Sequence, residues 1–148
     1  MAEDHDFKLF PELTNTQIET LYFKSPHKQI LEDFNATCVK VTDGDTITVS
    51  WDQRDFNFPV RFLNTNSPEL NEPGGSAAQE WLEGLILNEK VDIVINPNKR
   101  IGKFGRILGE VFHRGLSLNE MAISAGFATS FENRREGQIP SIEEALTV

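Results

Sequence analysis

One cysteine, Cys38, among 148 residues leaves no partner for a disulfide within the chain. The fold must therefore hold through its own packed core, and nothing points to an oxidising compartment. Cys38 falls inside an expected strand and reads as buried and inert. Basic residues are also short, with 14 Lys and Arg against 23 Asp and Glu, a formal charge of −9. Such a surface repels polyanions, so a nucleic-acid partner would need a local basic patch or a bound cation. No apolar run approaches the ~20 residues of a bilayer span. The opening Met1-Ala2-Glu3-Asp4-His5-Asp6 is acidic, with no apolar stretch behind it. The reading is therefore no signal peptide, no membrane partner, and a cytoplasmic location or a place in an intracellular or particle assembly. The three histidines, His5, His27 and His113, have no ligand-like spacing.

What the chain does have begins at Phe56. Phe56, Phe58, Val60 and Phe62 alternate with Asn57, Pro59, Arg61 and Leu63, the period of a half-buried strand. Arg61 thus points away from the Val60/Phe62 face. The alternation stops at Asn64-Thr65-Asn66, and Ser67-Pro68 marks a turn before Glu69. A strand carries an arginine, and the loop behind it carries an amide, a hydroxyl and a carboxylate.

Other strands are expected over Ala36–Val41, Thr46–Trp51, Val91–Ile95 and Ile107–His113, with an Asp43-Gly44 hairpin signal between the first two. Helices are expected over Ala77–Leu87, capped by Ser76-x-x-Gln79, and after Ser117-x-x-Glu120 as far as Gly126. Five short strands, with helices after the third and the fifth, describe an α+β, mainly β chain. Its expected form is a five-stranded barrel of the oligonucleotide-binding (OB) type with flanking helices, although strand counting also allows an open sheet.

Three segments are read: an N-terminal extension over 1–33, a domain over 34–132 and a tail over 133–148, with a short helix capped at Ser141. Residues 1–33 hold seven acids, three lysines and many aromatics, with Thr16-x-x-Glu19 as the cap of a helix reaching Phe23. The extension either packs on its own domain or serves as an arm for a protein partner.

The basic run Lys99-Arg100-Ile101-Gly102-Lys103-Phe104-Gly105-Arg106 holds four cations and no acid. It reads as a solvated loop or as a phosphate-binding patch. Read without reference to any relative, Asp45, Asn66 and the Ser67 backbone offer oxygens for a hard cation, with Asp43 in reserve. Glu69 is a candidate general base. Arg61 and Arg106 present planar forks that match phosphate oxygens. Each has a plainer use: turn formation for the aspartates, surface pairing for Arg61, solvation for Glu69, and pairing with Glu110 for Arg106.

Taken in order and spacing, Asp43-Gly44-Asp45-Thr46, then Arg61 with Pro68-Glu69, then Lys103-Phe104-Gly105-Arg106, and finally Asn119-Glu120-Met121 with Gly126-Phe127-Ala128, resemble the staphylococcal nuclease family. The likeness covers about 35–128. It implies a calcium-dependent phosphodiesterase acting on DNA and RNA; with contacts directed at phosphate, the expected substrate is single-stranded or locally open nucleic acid, cut with little sequence preference. By that resemblance Arg61, Glu69 and Arg106 are catalytic, Asp45, Asn66 and Ser67 hold the metal, and Lys103 and Phe104 bind substrate. Asn66 stands where the family has aspartate, so calcium should bind more weakly than is typical. Phe104 replaces a tyrosine. The alternative is a catalytically weakened nuclease fold that serves as a structural or binding component through residues 1–33.

Overall fold

The computed structural model describes residues 5–102 and 105–130. Lys103, Phe104, the tail and its expected helix lie outside that range. The strands are β1 (Phe34–Asp43), β2 (Thr46–Ser50), β3 (Phe58–Phe62), β4 (Thr65–Asn66), β5 (Lys90–Val94), β6 (Ile107–His113), β7 (Leu116–Ser117) and β8 (Thr129–Ser130). The α-helices are α1 (Asn15–Leu21), α2 (Gly75–Ile86) and α3 (Leu118–Ser124).

Strands pair in the order β3-β2-β1-β5-β6, and a parallel β3–β6 pairing, Val60↔Ile107 to Phe62↔Gly109, closes the ring. The remaining pairs around this five-stranded barrel are antiparallel. Closure removes the exposed edges that an open sheet would leave, and it excludes the open-sheet alternative. The alternation in β3 does what its period requires: Phe58, Val60 and Phe62 are buried while Pro59 is exposed. They join Ile47, Val49, Val91, Ile93, Ile107 and Val111 in one core, which Leu82 and Ile86 of α2 and Leu118 of α3 cover. Each such side chain contributes about 1.5–3 kcal/mol on burial.

Several local expectations need correction. Helix α1 is capped by Thr14, whose hydroxyl accepts from Gln17 N–H in a reciprocal capping box, two residues before the expected Thr16. Helix α2 starts at Gly75 behind Gly74 in the left-handed region, without a side-chain cap from Ser76. Strand β3 begins at Phe58, and Phe56 instead packs beside His27, with ring centroids 5.0 Å apart. The Asp43-Gly44 signal does mark a hairpin, but its loop is Gly44-Asp45 and neither residue has a positive φ. Ser117 caps α3 as expected, its hydroxyl accepting from Glu120 N–H.

The N-terminal segment packs on the barrel. Leu13, Leu21 and Ile30 are each at most 1% exposed. Glu12 is buried between two guanidinium groups, forming ion pairs with Arg54 and with Arg100 Nη2, the latter at 3.0 Å. Burial and the nearby Arg100 pull the Arg54 pKa down to about 10, so it stays charged at neutral pH. Its guanidinium also lies 4.6 Å from the ring centre of Phe58, a cation–π geometry. Arg100 is 4% exposed, so this member of the basic run is not a solvated cation. Cys38 is fully buried, and desolvation pushes its thiol up to about 11, which keeps it inert.

Candidate active site

Strand β3 delivers Arg61 to the face opposite the core, and the next five residues return to meet it. Arg61 Nη1 donates to the carbonyls of Phe62 (3.1 Å) and Thr65 (2.7 Å), and Nη2 donates to Asn66 Oδ1 (3.3 Å). Nη1 also lies 3.2 Å from Asp45 Oδ2. The same Asp45 oxygen accepts from Ser67 N–H at 2.8 Å, and Oδ1 accepts from the Thr46 hydroxyl at 3.2 Å. Asp45, Arg61, Asn66 and Ser67, all singled out in the sequence, thus form one cluster. Thr65, which sequence reasoning passed over, holds the guanidinium through its carbonyl. No side-chain signal could have marked it, because the contact is made by backbone.

Close approach fixes the loop from two sides. A Cβ on Gly44 would come within 2.8 Å of both Ala78 Cβ and Ser67 Oγ, so only glycine lets the hairpin touch that loop. A Cβ on Gly75 would overlap the Glu69 carbonyl oxygen at 1.8 Å, so α2 begins hard against the backbone of Glu69. Farther back, Asn119 of α3 donates to Leu63 C=O (2.8 Å) and accepts from Val111 N–H (3.0 Å). It ties the end of β3 to β6. The β4–β8 pairing, Asn66↔Thr129, steadies the other side.

Asp45 is 5% exposed, and its pKa is raised to about 6. Desolvation is the main cause, followed by a hydrogen bond with the Asp43 side chain, while Arg61 and the Ser67 N–H oppose the rise. Asp43 Oδ1 also accepts from Asp45 N–H at 3.0 Å, which closes the hairpin turn and keeps the two carboxylates together. Ser67 Oγ is buried without a hydrogen-bond partner among the described residues. The donors gathered here are all oxygens: the Asp45 carboxylate, the Asn66 amide and the Ser67 hydroxyl. That is hard-cation chemistry. Their charge is low, however, and among the described residues no three His, Cys, Asp or Glu side chains form a metal cage.

Glu69 is exposed two residues past Ser67, with its N–H donating to Glu72 Oε1 at 2.7 Å. Arg106 is half-buried immediately before β6, whose next residue, Ile107, pairs with Val60 beside Arg61. Lys103 and Phe104 lie outside the described residues. His113 approaches Glu89 Oε1 at 3.4 Å, away from the cluster. No helix among the described residues is long and apolar enough to cross a membrane.

A family model described as staphylococcal nuclease homologue matches residues 59–147. The chain is 31% identical over 80 residues to micrococcal nuclease of Shigella flexneri, an alignment covering 54% of this chain and 43% of that protein. It is 29% identical over 100 residues to endonuclease YncB of Bacillus subtilis (strain 168), covering 64% of this chain and 46% of that one. A third relative, the SPbeta prophage-derived endonuclease YokF of the same strain, is also 29% identical over 100 residues, 33% of its own length. The chain therefore spans less than half the length of each of these relatives.

Proposed function

From the chain's membership of the staphylococcal nuclease family, we propose that it is a divalent-cation-dependent phosphodiesterase cleaving single-stranded DNA or RNA with little sequence preference. The observation that carries this reading is the Asp45–Arg61–Asn66–Ser67 cluster, where a guanidinium meets the Asp45 carboxylate and the Asn66 amide oxygen beside Ser67.

The oxygens of Asp45, Asn66 and Ser67 fit a weakly held hard cation, calcium first. The orphaned Ser67 hydroxyl and the crowded Asp43/Asp45 carboxylates are both relieved by positive charge. When bound, such an ion lowers the pKa of water and neutralises phosphate oxygens. The chain's own residues do the rest. Glu69, exposed at the loop's end, takes the proton from the attacking water. Arg61 holds a non-bridging phosphate oxygen while its other contacts keep its plane fixed. Arg106, immediately before β6, stabilises the charge that builds on the five-coordinate phosphorus. Lys103 and Phe104 steady the neighbouring nucleotide. Contacts directed at phosphate carry little sequence information.

A binding module without turnover is the weaker reading, because the named relatives are nucleases. The test is cleavage of denatured DNA with added calcium. Glu69→Gln and Arg106→Ala are each expected to lower the rate by roughly 10²–10⁴-fold. Cleavage that survives both substitutions would assign the activity elsewhere.

A further inference from the structure

Building on the role given to Arg106, we infer that residues 10–30 are a brace that positions the hairpin carrying this arginine, with Phe10 and Glu12 as its positioning residues. This segment lies outside the span that the family model matches.

Two backbone hydrogen bonds join the arms at 100–102 and 106–108. Leu108 N–H donates to Arg100 C=O at 2.8 Å, and Gly102 N–H donates to Arg106 C=O at 2.7 Å. Holding Arg100 therefore holds Arg106. The guanidinium of Arg100 is spent on the N-terminal segment. It donates to Ile30 C=O from Nε (2.9 Å) and Nη2 (2.6 Å), to Leu13 C=O (3.1 Å) and Asn15 Oδ1 (2.9 Å) from Nη1, and to Glu12 Oε2 (3.0 Å) from Nη2.

Glu12 is itself fixed by Ile30 N–H at 3.1 Å and by Arg54, which in turn donates to Lys28 C=O at 2.9 Å. At the hairpin's other arm, the Phe10 ring lies against Gly105, the residue before Arg106. A Cβ there would come within 2.9 Å of Phe10 Cδ1, and Gly105 has φ +70°. Leu9, Pro11 and Glu12 share the wall of one small cavity with Pro59, Gly105 and Ile107. The segment thus grips both arms of the hairpin, by charge at Arg100 and by an aromatic ring at Gly105. A phosphate clamp that acts in the transition state must be held to a fraction of an ångström, and misplacement by 1 Å costs about 100-fold.

The test uses the full chain. Phe10 is at the periphery, 36% exposed, so Phe10→Ala should fold. Amide hydrogen exchange at Gly102 and Leu108 is expected to quicken in that variant while Val49 in the barrel stays protected. Turnover should fall by roughly 10- to 100-fold in kcat with little change in KM. Phe10→Leu should restore most of it, and Phe10→Ala should add no loss in an Arg106→Ala background. Unchanged exchange at Gly102 and Leu108 overturns the brace. Faster exchange with unaltered kcat overturns its positioning role. If the parent chain shows no turnover, the nuclease reading falls and exchange alone decides the brace.

Discussion

Asn66 decides how much charge the pocket can muster. Its Oδ1 accepts from Arg61 at 3.3 Å, and the same guanidinium leans on Asp45. At the proposed site an incoming dication would compete with a fixed positive charge for the Asp45 and Asn66 oxygens, of which Asp45 alone is a carboxylate. Asn66→Asp supplies a second carboxylate of the same shape in the same place. Calcium affinity is expected to rise by about tenfold or more, since ~1.4 kcal/mol suffices for that factor and ligand charge sets affinity at such sites. Titration calorimetry with calcium on both proteins measures it, and an unaltered curve would remove Asn66 from the metal shell. The metal role expected of Asn66 rests on the family resemblance, whereas its contact with Arg61 was legible in the sequence because strand periodicity located Arg61 and the interval from Arg61 to Asn66 is short. Local spacing and spatial proximity coincide there. For Arg100 they do not. Its carboxylate partner, Glu12, is 88 residues away, and a basic loop shows nothing in its own neighbours of a cation destined for burial.

At the level of elements, apolar alternation located the strands well, and the capping boxes were located less well. Thr14-x-x-Gln17 and Thr16-x-x-Glu19 are equivalent patterns in a string of letters. The choice is tertiary: with the helix starting at Asn15, that side chain donates to Pro97 C=O (3.0 Å) and accepts from Arg100 (2.9 Å). Helix α2 likewise begins where Gly75 can press on Glu69, not where a serine could cap it. Glu12 joins the N-terminal segment to both the turn after β2 and the loop after β5. Removing its carboxylate leaves two guanidinium groups buried without their counter-charge, and this is far costlier than losing a surface pair. Glu12→Ala is expected to destabilise the fold by about 3–5 kcal/mol. The measurement is the urea midpoint at constant m-value. A loss under ~1 kcal/mol would show that the barrel does not depend on the segment.

Across the whole molecule, a charge of −9 and the proposed polyanionic substrate pull in opposite directions. The structure sharpens the conflict, because Arg54 and Arg100 are 8% and 4% exposed and are committed to Glu12. Under the proposed function Arg61, Lys103 and Arg106 are the cations assigned to phosphate. Binding limited to about three such contacts should respond only mildly to salt, with a slope of log K against log[salt] near −2 for single strands, at ~0.7 per contact. A protein that wraps its ligand in a broad basic surface would show −6 or steeper. Fluorescence anisotropy of a labelled oligothymidylate with the Glu69→Gln variant, at constant calcium over roughly 50–200 mM KCl, reads the slope directly. A steep slope would mean that the acidic shell hides a second, extended contact surface and that the Arg61 pocket accounts for only part of recognition. A shallow slope would fit a chain whose repulsive field keeps other nucleic-acid contacts weak, so that a strand is held only where the pocket's arginines and its cation meet the phosphate.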